Sequence, residues 1–380
     1  MSRHKNLPNG WKRGALDSIC DLKAGKFVPA SEISEYCDNS PYPCYGGNGL
    51  RGYVKEFSHR GTFPLIGRQG ALCGNINKAS GEFHATEHAV VATPNPNIEV
   101  NWLYYQLVNA NLNKYATGAA QPGLSVKNIK EILFIVPPLP EQKAIADFLS
   151  TWDKAIKKTE RLLQAKKKQK LSELHSLISS HKANSTIGSF AKPVVRKVDK
   201  PDESYIAVGI RSHFKGTFQR VVEDPKTIKM DSLYRVKKND LIINITFAWE
   251  GAIALVKQED EQCYVSHRFP TYEIKRTKAE PNFIRQLIMS SRMKYDLSGI
   301  SPGGAGRNRV LNKKDFLKMP IWLPDLETQK NISEYLETID KEINLLKQLA
   351  EKHKTQKRGL MQKVLTGEWR IKPEVVKRYA

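Results

Sequence analysis

The chain has 380 residues, a formal net charge of +22 and a pI near 9.6. That length allows two or three domains, each with its own core, and the charge points to a polyanionic partner, nucleic acid before others. Five cysteines, at 20, 37, 44, 73 and 263, show no CxxC spacing, which argues against a disulfide framework and a structural zinc site. No apolar run of about 18 residues is long enough to span a bilayer, so a cytoplasmic protein with no membrane partner is expected.

Residues 1–136 are rich in glycine, proline, asparagine and aromatic residues, with short apolar runs at 62–66 and 88–92 that read as strands between tight turns. The stretch 101–112 has helical spacing and is expected to pack on the sheet. Ser125 supplies an N-cap oxygen for a short helix after it. Pro137, Pro138 and Pro140 each fix φ and remove a donor, so a long helix is expected only after them. From Glu141 the apolar residues Ile145, Leu149, Trp152, Ile156 and Leu163 form one stripe with the spacing of a coiled-coil seam.

The same pattern returns 187 residues later. Residues 137–170 laid over 324–357 are identical at 14 of 34 positions, and Ile332, Leu336, Ile339, Ile343 and Leu346 supply the second stripe. The chain is a duplicated unit, a globular half followed by a long helix. Each stripe needs cover, and the other copy has the same length and pattern, so antiparallel pairing is expected. Both stripes turn polar in the middle, at 166–170 and 353–357, where looser packing or a partner is expected. The fold class is α+β: two α/β domains rich in short strands, separated by two long antiparallel coiled-coil helices with a pseudo-two-fold repeat. The expected division is 1–136, first domain; 137–181, first long helix; 182–323, second domain; 324–366, second long helix; 367–380, tail.

Between the helices the halves share landmarks and little else. Thr186-Ile187-Gly188-Ser189-Phe190 echoes Ala15-Leu16-Asp17-Ser18-Ile19, Gly70-Ala71 matches Gly251-Ala252, Glu87-His88 matches Ser266-His267, and Asn101-Trp102-Leu103 matches Asn282-Phe283-Ile284. The helices are near charge balance, as solvated coiled-coil faces are, and most of the excess charge lies in the globular halves. Three loops in each half combine glycine, basic and aromatic residues: 42–53, 67–70 and 113–123 in the first, 211–220, 264–268 and 301–309 in the second. Arginine and asparagine make bidentate bonds to base edges, and lysine meets phosphates as a point charge. Asn48, Arg51, Arg68, Arg307 and Arg309 are the preferred base readers, and Lys114, Lys215 and Arg220 the preferred phosphate contacts. Tyr45, Gln121, Arg211 and Arg268 complete the candidate set.

Catalytic patterns fail. Residues 47–52 match GxGxxG, but a strand follows where a dinucleotide site needs a helix. Asn95-Pro96-Asn97 lacks the aromatic residue of an amino-methyltransferase motif, and no Walker lysine, HExxH, GxSxG or HxE…CxxC occurs. His88 and His267 read as packed or turn-stabilising.

With Pro-Pro-Leu-Pro-Glu-Gln-Lys-Ala-Ile at 137–145, Leu-Pro-Asp-Leu-Glu-Thr-Gln-Lys-Asn-Ile at 323–332 and Leu-Thr-Gly-Glu-Trp-Arg at 365–370, the chain resembles the specificity (S) subunit of Type I restriction-modification enzymes over its whole length. The loop 45–53 is similar to one common in target recognition domains. The second copy departs from the motif at Thr328, where the first has Glu141, and at Asp325, where it has Pro138; both are read as drift. The resemblance implies two target recognition domains, each reading one part of a bipartite, asymmetric site in double-stranded DNA, with the paired helices as a ruler. It implies two docked modification (methyltransferase) subunits that bind S-adenosylmethionine, joined by restriction subunits that use ATP and Mg. It leaves this chain without catalytic residues, cofactor or metal. A DNA methyltransferase or nuclease with a diverged site, or a basic coiled-coil scaffold, are the alternatives.

Overall fold

The computed structural model describes residues 7–70, 72–118, 122–303 and 309–380. They fall into two compact units, one of residues up to 159 with 348–380, the other of residues 160–347. Each unit therefore takes one globular half and a part of both long helices.

The first unit holds β1 (Lys12–Ala15), the single turn α1 (Leu16–Ile19), β2 (Cys20–Ala24), β3 (Tyr42–Gly46), β4 (Gly49–Val54), β5 (His59–Gly67), β6 (Ile76–Ala85), β7 (Ala89–Pro94), α2 (Val100–Ala110), α3 (Val126–Lys130) and β8 (Leu133–Val136), and α4 (Leu139–Leu174) begins in it. Six strands form one sheet in the order β2-β7-β5-β6-β3-β4, and β1 pairs with β8. Trp102, Leu103, Tyr105 and Leu107 of α2 are buried in one core with Ile66, Val90 and Ala92 of the sheet. The helix is bounded by capping chemistry: the Glu99 carboxylate accepts the Trp102 N–H at 2.6 Å, and Asn111 ends it in the left-handed region at φ 49°. Burial pushes the Cys20 thiol up to about 12, with Asp21 and Asp17 adding to it, which makes it inert packing.

The second unit holds β9 (Ser185–Thr186), β10 (Ala191–Val194), β11 (Lys197–Asp199), β12 (Tyr205–Ile210), β13 (Thr217–Val222), β14 (Ser232–Arg235), β15 (Leu241–Ile243), β16 (Ile253–Leu255), β17 (Tyr264–Val265), β18 (Thr271–Ile274), α5 (Pro281–Ile288), α6 (Ser291–Gly299), α7 (Lys313–Lys318) and β19 (Pro320–Ile321). Its sheets run β10-β18-β15-β16 and β11-β14-β17-β12-β13, and β9 pairs with β19.

A common nucleus lies under the diverged sequences. The strands β2, β5, β6, β7 and the strands β10, β15, β16, β18 are each ordered first-fourth-second-third with antiparallel pairing throughout. The echoed segments form the turns after β1 and β9, and Asn101 and Asn282 open α2 and α5. The halves differ in what is inserted between the first and second nucleus strands. In the first unit that insertion is the hairpin β3–β4, which extends the sheet by parallel pairing of β3 with β6. In the second it is β11–β14, which builds a separate sheet with β17.

The long helices α4 and α8 (Leu326–Leu365) pack antiparallel in each unit, and α9 (Pro373–Val376) follows. α4 starts at Leu139, earlier than its prolines suggest, because Pro140 sits in the first turn, where no N–H partner is required. In the first unit Ile145 and Leu149 share a core with Met361, Val364 and Leu365, and half-buried Trp152 meets His353 edge-to-face at 5.8 Å, with Ile156 half-buried one turn on. In the second, Leu163 shares a core with Leu336, Ile339 and Ile343, while Ile332 and Leu346 pack on its edge. The polar middles are ion-paired, not loose. Lys357 reaches Asp153 at 2.5 Å, and its repeat equivalent Lys170 reaches Asp340 at 2.6 Å. Lys166 adds a bridge to Glu342 at 2.7 Å. Lysine at both polar segments is therefore the partner of an aspartate that also recurs, a self-complementary pattern of the kind two-fold interfaces use.

Glu141 and Thr328 differ for a reason other than drift. Glu141, 2% exposed, accepts the Trp11 indole N–H at 2.9 Å and takes two bonds from Arg370, at 2.8 and 2.6 Å. Thr328 instead donates its hydroxyl to Asp325 at 2.8 Å, and Asp325 accepts the Thr328 N–H at 2.9 Å, an N-terminal cap for α8. The tail that follows α8 supplies the arginine that the first helix start needs; the second start has Asp325 in place of Pro138 and caps itself.

Candidate nucleic-acid interface

In the first unit the loops at one end of the nucleus are tied together by backbone bonds. Arg68 N–H donates to His88 O at 3.0 Å, Leu124 N–H to Arg68 O at 2.7 Å, Gly70 N–H to Pro122 O at 3.0 Å and Thr86 N–H to Tyr45 O at 2.9 Å. The β3–β4 tip lies directly on the end of β5: a Cβ built on Gly67 would stand 2.2 Å from Gly47 O, so this approach requires glycine. Asn113 Nδ2 donates to Cys73 O at 2.9 Å and brings the turn 112–115 to the same end. All three candidate loops of this half thus meet.

Their side chains are unequal. Asn48 stands exposed at the β3–β4 tip and Arg51 exposed on β4; among the described residues no hydrogen bond or ion pair of the Arg51 guanidinium is found. Arg68 is half-buried, and its Nε together with Asn77 Nδ2, Thr86 Oγ1 and Glu87 Oε2 lies buried with no hydrogen-bond partner among the described residues. Tyr45 packs edge-to-face on Phe83 at 5.8 Å, and burial raises its phenol; it is a support for the tip. Lys114 is exposed, its ammonium 5.1 Å above the Tyr115 ring. Gln121 lies outside the described residues.

The equivalent loops of the second unit converge in the same way. His213 N–H donates to Glu250 O at 2.8 Å, Phe214 N–H to Gly251 O at 3.0 Å, Ile245 N–H to Arg268 O at 3.1 Å and Leu311 N–H to Ile245 O at 2.9 Å. Gly251 has φ +81°, and a Cβ there would meet the Phe214 ring at 2.8 Å; its landmark partner Gly70 has φ +82° in the matching loop. Arg211 and Arg268 are both exposed and steadied: Arg211 donates to Thr217 O at 2.9 Å and lies 4.8 Å over Phe218, and Arg268 donates to the Thr246 hydroxyl at 3.1 Å. Lys215 is exposed at the β12–β13 tip. Arg220, exposed on β13, edges a groove of about 340 Å³ lined by Tyr205, Phe218, Tyr264 and Phe269. Arg309 is half-buried; it donates to Ser301 O at 3.1 Å and Ser298 O at 3.2 Å, with its guanidinium 5.3 Å over Trp249. Two of its donor groups are thereby occupied. Arg307 lies outside the described residues.

Basic side chains thus stand on loops that the nucleus gathers, one cluster per unit, with Glu87 and Glu250 as acidic members. Such a surface suits a phosphate backbone, and its arginines have the planar fork that reads guanine edges. The sequence did not single out Thr86, Thr246 or Trp249. The matched glycines 70 and 251 were the available signal, because Trp249 stands two residues before Gly251 as Arg68 stands before Gly70.

The family model described as the Type I restriction modification DNA specificity domain matches the chain twice, over residues 8–168 and 170–353. The chain is 48% identical over 143 residues to the Type I restriction enzyme EcoprrI specificity subunit of Escherichia coli, covering 37% of this chain and 36% of that relative. It is 27% identical over 303 residues to the Type I restriction enzyme MjaVIII specificity subunit of Methanocaldococcus jannaschii, covering 71% of this chain and 70% of the relative. The first of these matches spans about a third of the relative's length. In fold, the chain is similar to the S subunit of a Type I restriction-modification system from M. genitalium, at 16% identity and a TM-score of 0.61, covering 96% of this chain and 97% of that one. It is also similar, at 14% identity and a TM-score of 0.60, to a chain in a structure on complex assembly and conformational transition of the type I R-M system, covering 96% and 100%. Among the described residues no helix is long and apolar enough to cross a membrane. With the same specificity domain matched in each of its two halves, this chain belongs to the Type I restriction modification DNA specificity family.

Proposed function

We propose that this chain recognises double-stranded DNA for a Type I restriction-modification complex, each globular half reading one part of a bipartite, asymmetric site. The observation that carries the reading is the repetition: one strand nucleus occurs twice, and at the same end of each copy it gathers exposed basic residues on short, hydrogen-bonded loops. A single site would need one such cluster. In this reading α4 and α8 set the unread spacer, which their continuous length and antiparallel pairing support.

The helices also dock two modification subunits. Support comes from identities that packing does not require. Lys143 and Lys330, Thr151 and Thr338, Lys154 and Lys341, and Leu162 and Leu349 are the same in both copies and exposed in both. Two equal surfaces suit two copies of one partner. Methylation, with S-adenosylmethionine, belongs to those partners, and ATP and Mg to restriction subunits; the role proposed for this chain is recognition without catalysis.

Arg51→Ala is expected to relax one half-site and Arg268→Ala the other, each by about 1–3 kcal/mol of discrimination at one base pair. Competition binding with duplexes altered in one half at a time checks this. Equal weakening on all sequences would mark both arginines as phosphate contacts.

A further inference from the structure

One buried glutamine at the start of each long helix makes the same three hydrogen bonds in both units. Gln142, 1% exposed, donates from Nε2 to Pro137 O at 2.9 Å and Asn97 O at 3.2 Å, and its Oε1 accepts the Glu99 N–H at 2.8 Å. Gln329, 0% exposed, donates to Pro324 O at 2.7 Å and Lys278 O at 3.0 Å and accepts the Glu280 N–H at 2.8 Å. Pro137 and Pro324 are repeat equivalents, and Asn97 and Lys278 stand two residues before the matched glutamates. Those glutamates cap α2 and α5 through the N–H groups of Trp102 and Phe283, at 2.6 and 2.8 Å. A single side chain therefore ties three things: the proline entry of the long helix, the loop leaving the nucleus, and the cap of the helix packed on that nucleus.

Apolar burial is non-directional, so a core alone lets a globular half settle against its helix over a range of angles. Three hydrogen bonds to one planar amide fix a direction, because each weakens steeply when bent. A buried amide whose bonds all run to backbone is also costly to shift, since an abandoned donor or acceptor stays out of water with no partner.

We propose that Gln142 and Gln329 are positioning residues for half-site recognition: each fixes the direction in which its globular half leaves the long helix, and so the spacer length the two halves accept together. This rests on the reading of the halves as DNA-binding.

The test uses the full chain in complex with its modification subunits. Duplexes carry the half-sites selected by the wild type, with the spacer varied one base pair at a time. Gln142→Leu and Gln329→Leu are each expected to cut the preference for the favoured spacer over its neighbours by about tenfold, the equivalent of one lost buried bond, while half-site sequence preference stays. Spacer preference kept within about twofold by both variants overturns the proposal. If a leucine variant does not melt cooperatively, Gln142→Glu replaces it; the carboxylate keeps the acceptor for Glu99 and loses both donors, and the same loss of spacer preference is expected. Amide exchange gives an independent readout: Glu99 is expected to exchange faster in Gln142→Leu, which removes the acceptor of its N–H, and Glu280 only in Gln329→Leu, and unchanged exchange at both overturns the clamp. A wild type that selects no bipartite sequence defeats the DNA reading itself, and the exchange measurement then still tests the clamp.

Discussion

Glu141→Ala is expected to destabilise the first unit by about 2–3 kcal/mol, seen as a drop of roughly 5–10 °C in its melting transition. The carboxylate is buried and is the joint partner of the Trp11 indole and the Arg370 guanidinium. Removing it strands both. The loss falls below that of a fully buried pair because the Arg370 side chain is 43% exposed and water compensates part of it. The hydrogen bonds that Arg370 donates to Glu141 also raise the Arg370 pKa above its ordinary value. Arg370→Met is expected to match Glu141→Ala closely, and the double variant to add little to either, since contacting partners are not additive. Thr328→Ala, at the repeat-equivalent position, is expected to leave the second unit's transition nearly unmoved, because the Thr328 cap faces Asp325 at the surface. Calorimetry of the four variants decides it. Equal effects at 141 and 328 would show that the Arg370 lock contributes nothing beyond an ordinary helix start.

Gly67→Ala is expected to abolish reading by the first half while leaving the second half's preferences intact. The new methyl would stand 2.2 Å from Gly47 O, and neither backbone can yield easily. Gly67 is held by Gly74 N–H at 2.8 Å and by its own N–H to Asn75 O at 2.9 Å, and it pairs with Ala89 in the sheet. The strain, about 1–3 kcal/mol or more, must lift the tip that carries Asn48 and Arg51 away from the Arg68 loop. Gly123→Ala, in the same cluster, meets among the described residues only Arg68 O at 3.8 Å, an ordinary contact, and serves as the control. Binding to duplexes with one scrambled half-site reads the outcome: the Gly67 variant is expected to lose discrimination in one half alone. Discrimination retained in both halves would show that the tip takes no part in recognition.

The features legible in the sequence were those with a period. The duplicated proline-gated helix carried fold class, antiparallel pairing and family resemblance, because two matching stripes at heptad spacing, each behind the same entry motif, are hard to imitate. The strand nucleus was legible in part: the apolar runs at 62–66 and 88–92 fall on β5 and β7. In the second half β15 and β16 have three residues each, and buried strands of that length carry no alternation to read. Its trace survived as isolated landmarks, and Gly70 and Gly251 meant little until both proved to occupy the left-handed region in the same loop. Gln142 and Gln329 were visible as identities, but their partners are backbone carbonyls and amides, which leave no mark on a sequence. Glu141 read as drift for a related reason: Trp11 and Arg370 are 130 and 229 residues away. In the loops, residue type identified Arg51 and Arg268 alongside Arg309, whereas only packing distinguishes Arg51, whose guanidinium has no hydrogen bond or ion pair among the described residues, from Arg309, whose donors Ser298 and Ser301 already use.

The central claim is that one chain reads two separated sequences. It is tested most directly by selecting duplexes from a random pool with the full chain in complex with the modification subunits proposed for it. Two short, different motifs at one fixed separation, with no preference in the bases between, are the expected result. A single continuous motif, or binding without sequence enrichment, would contradict the account.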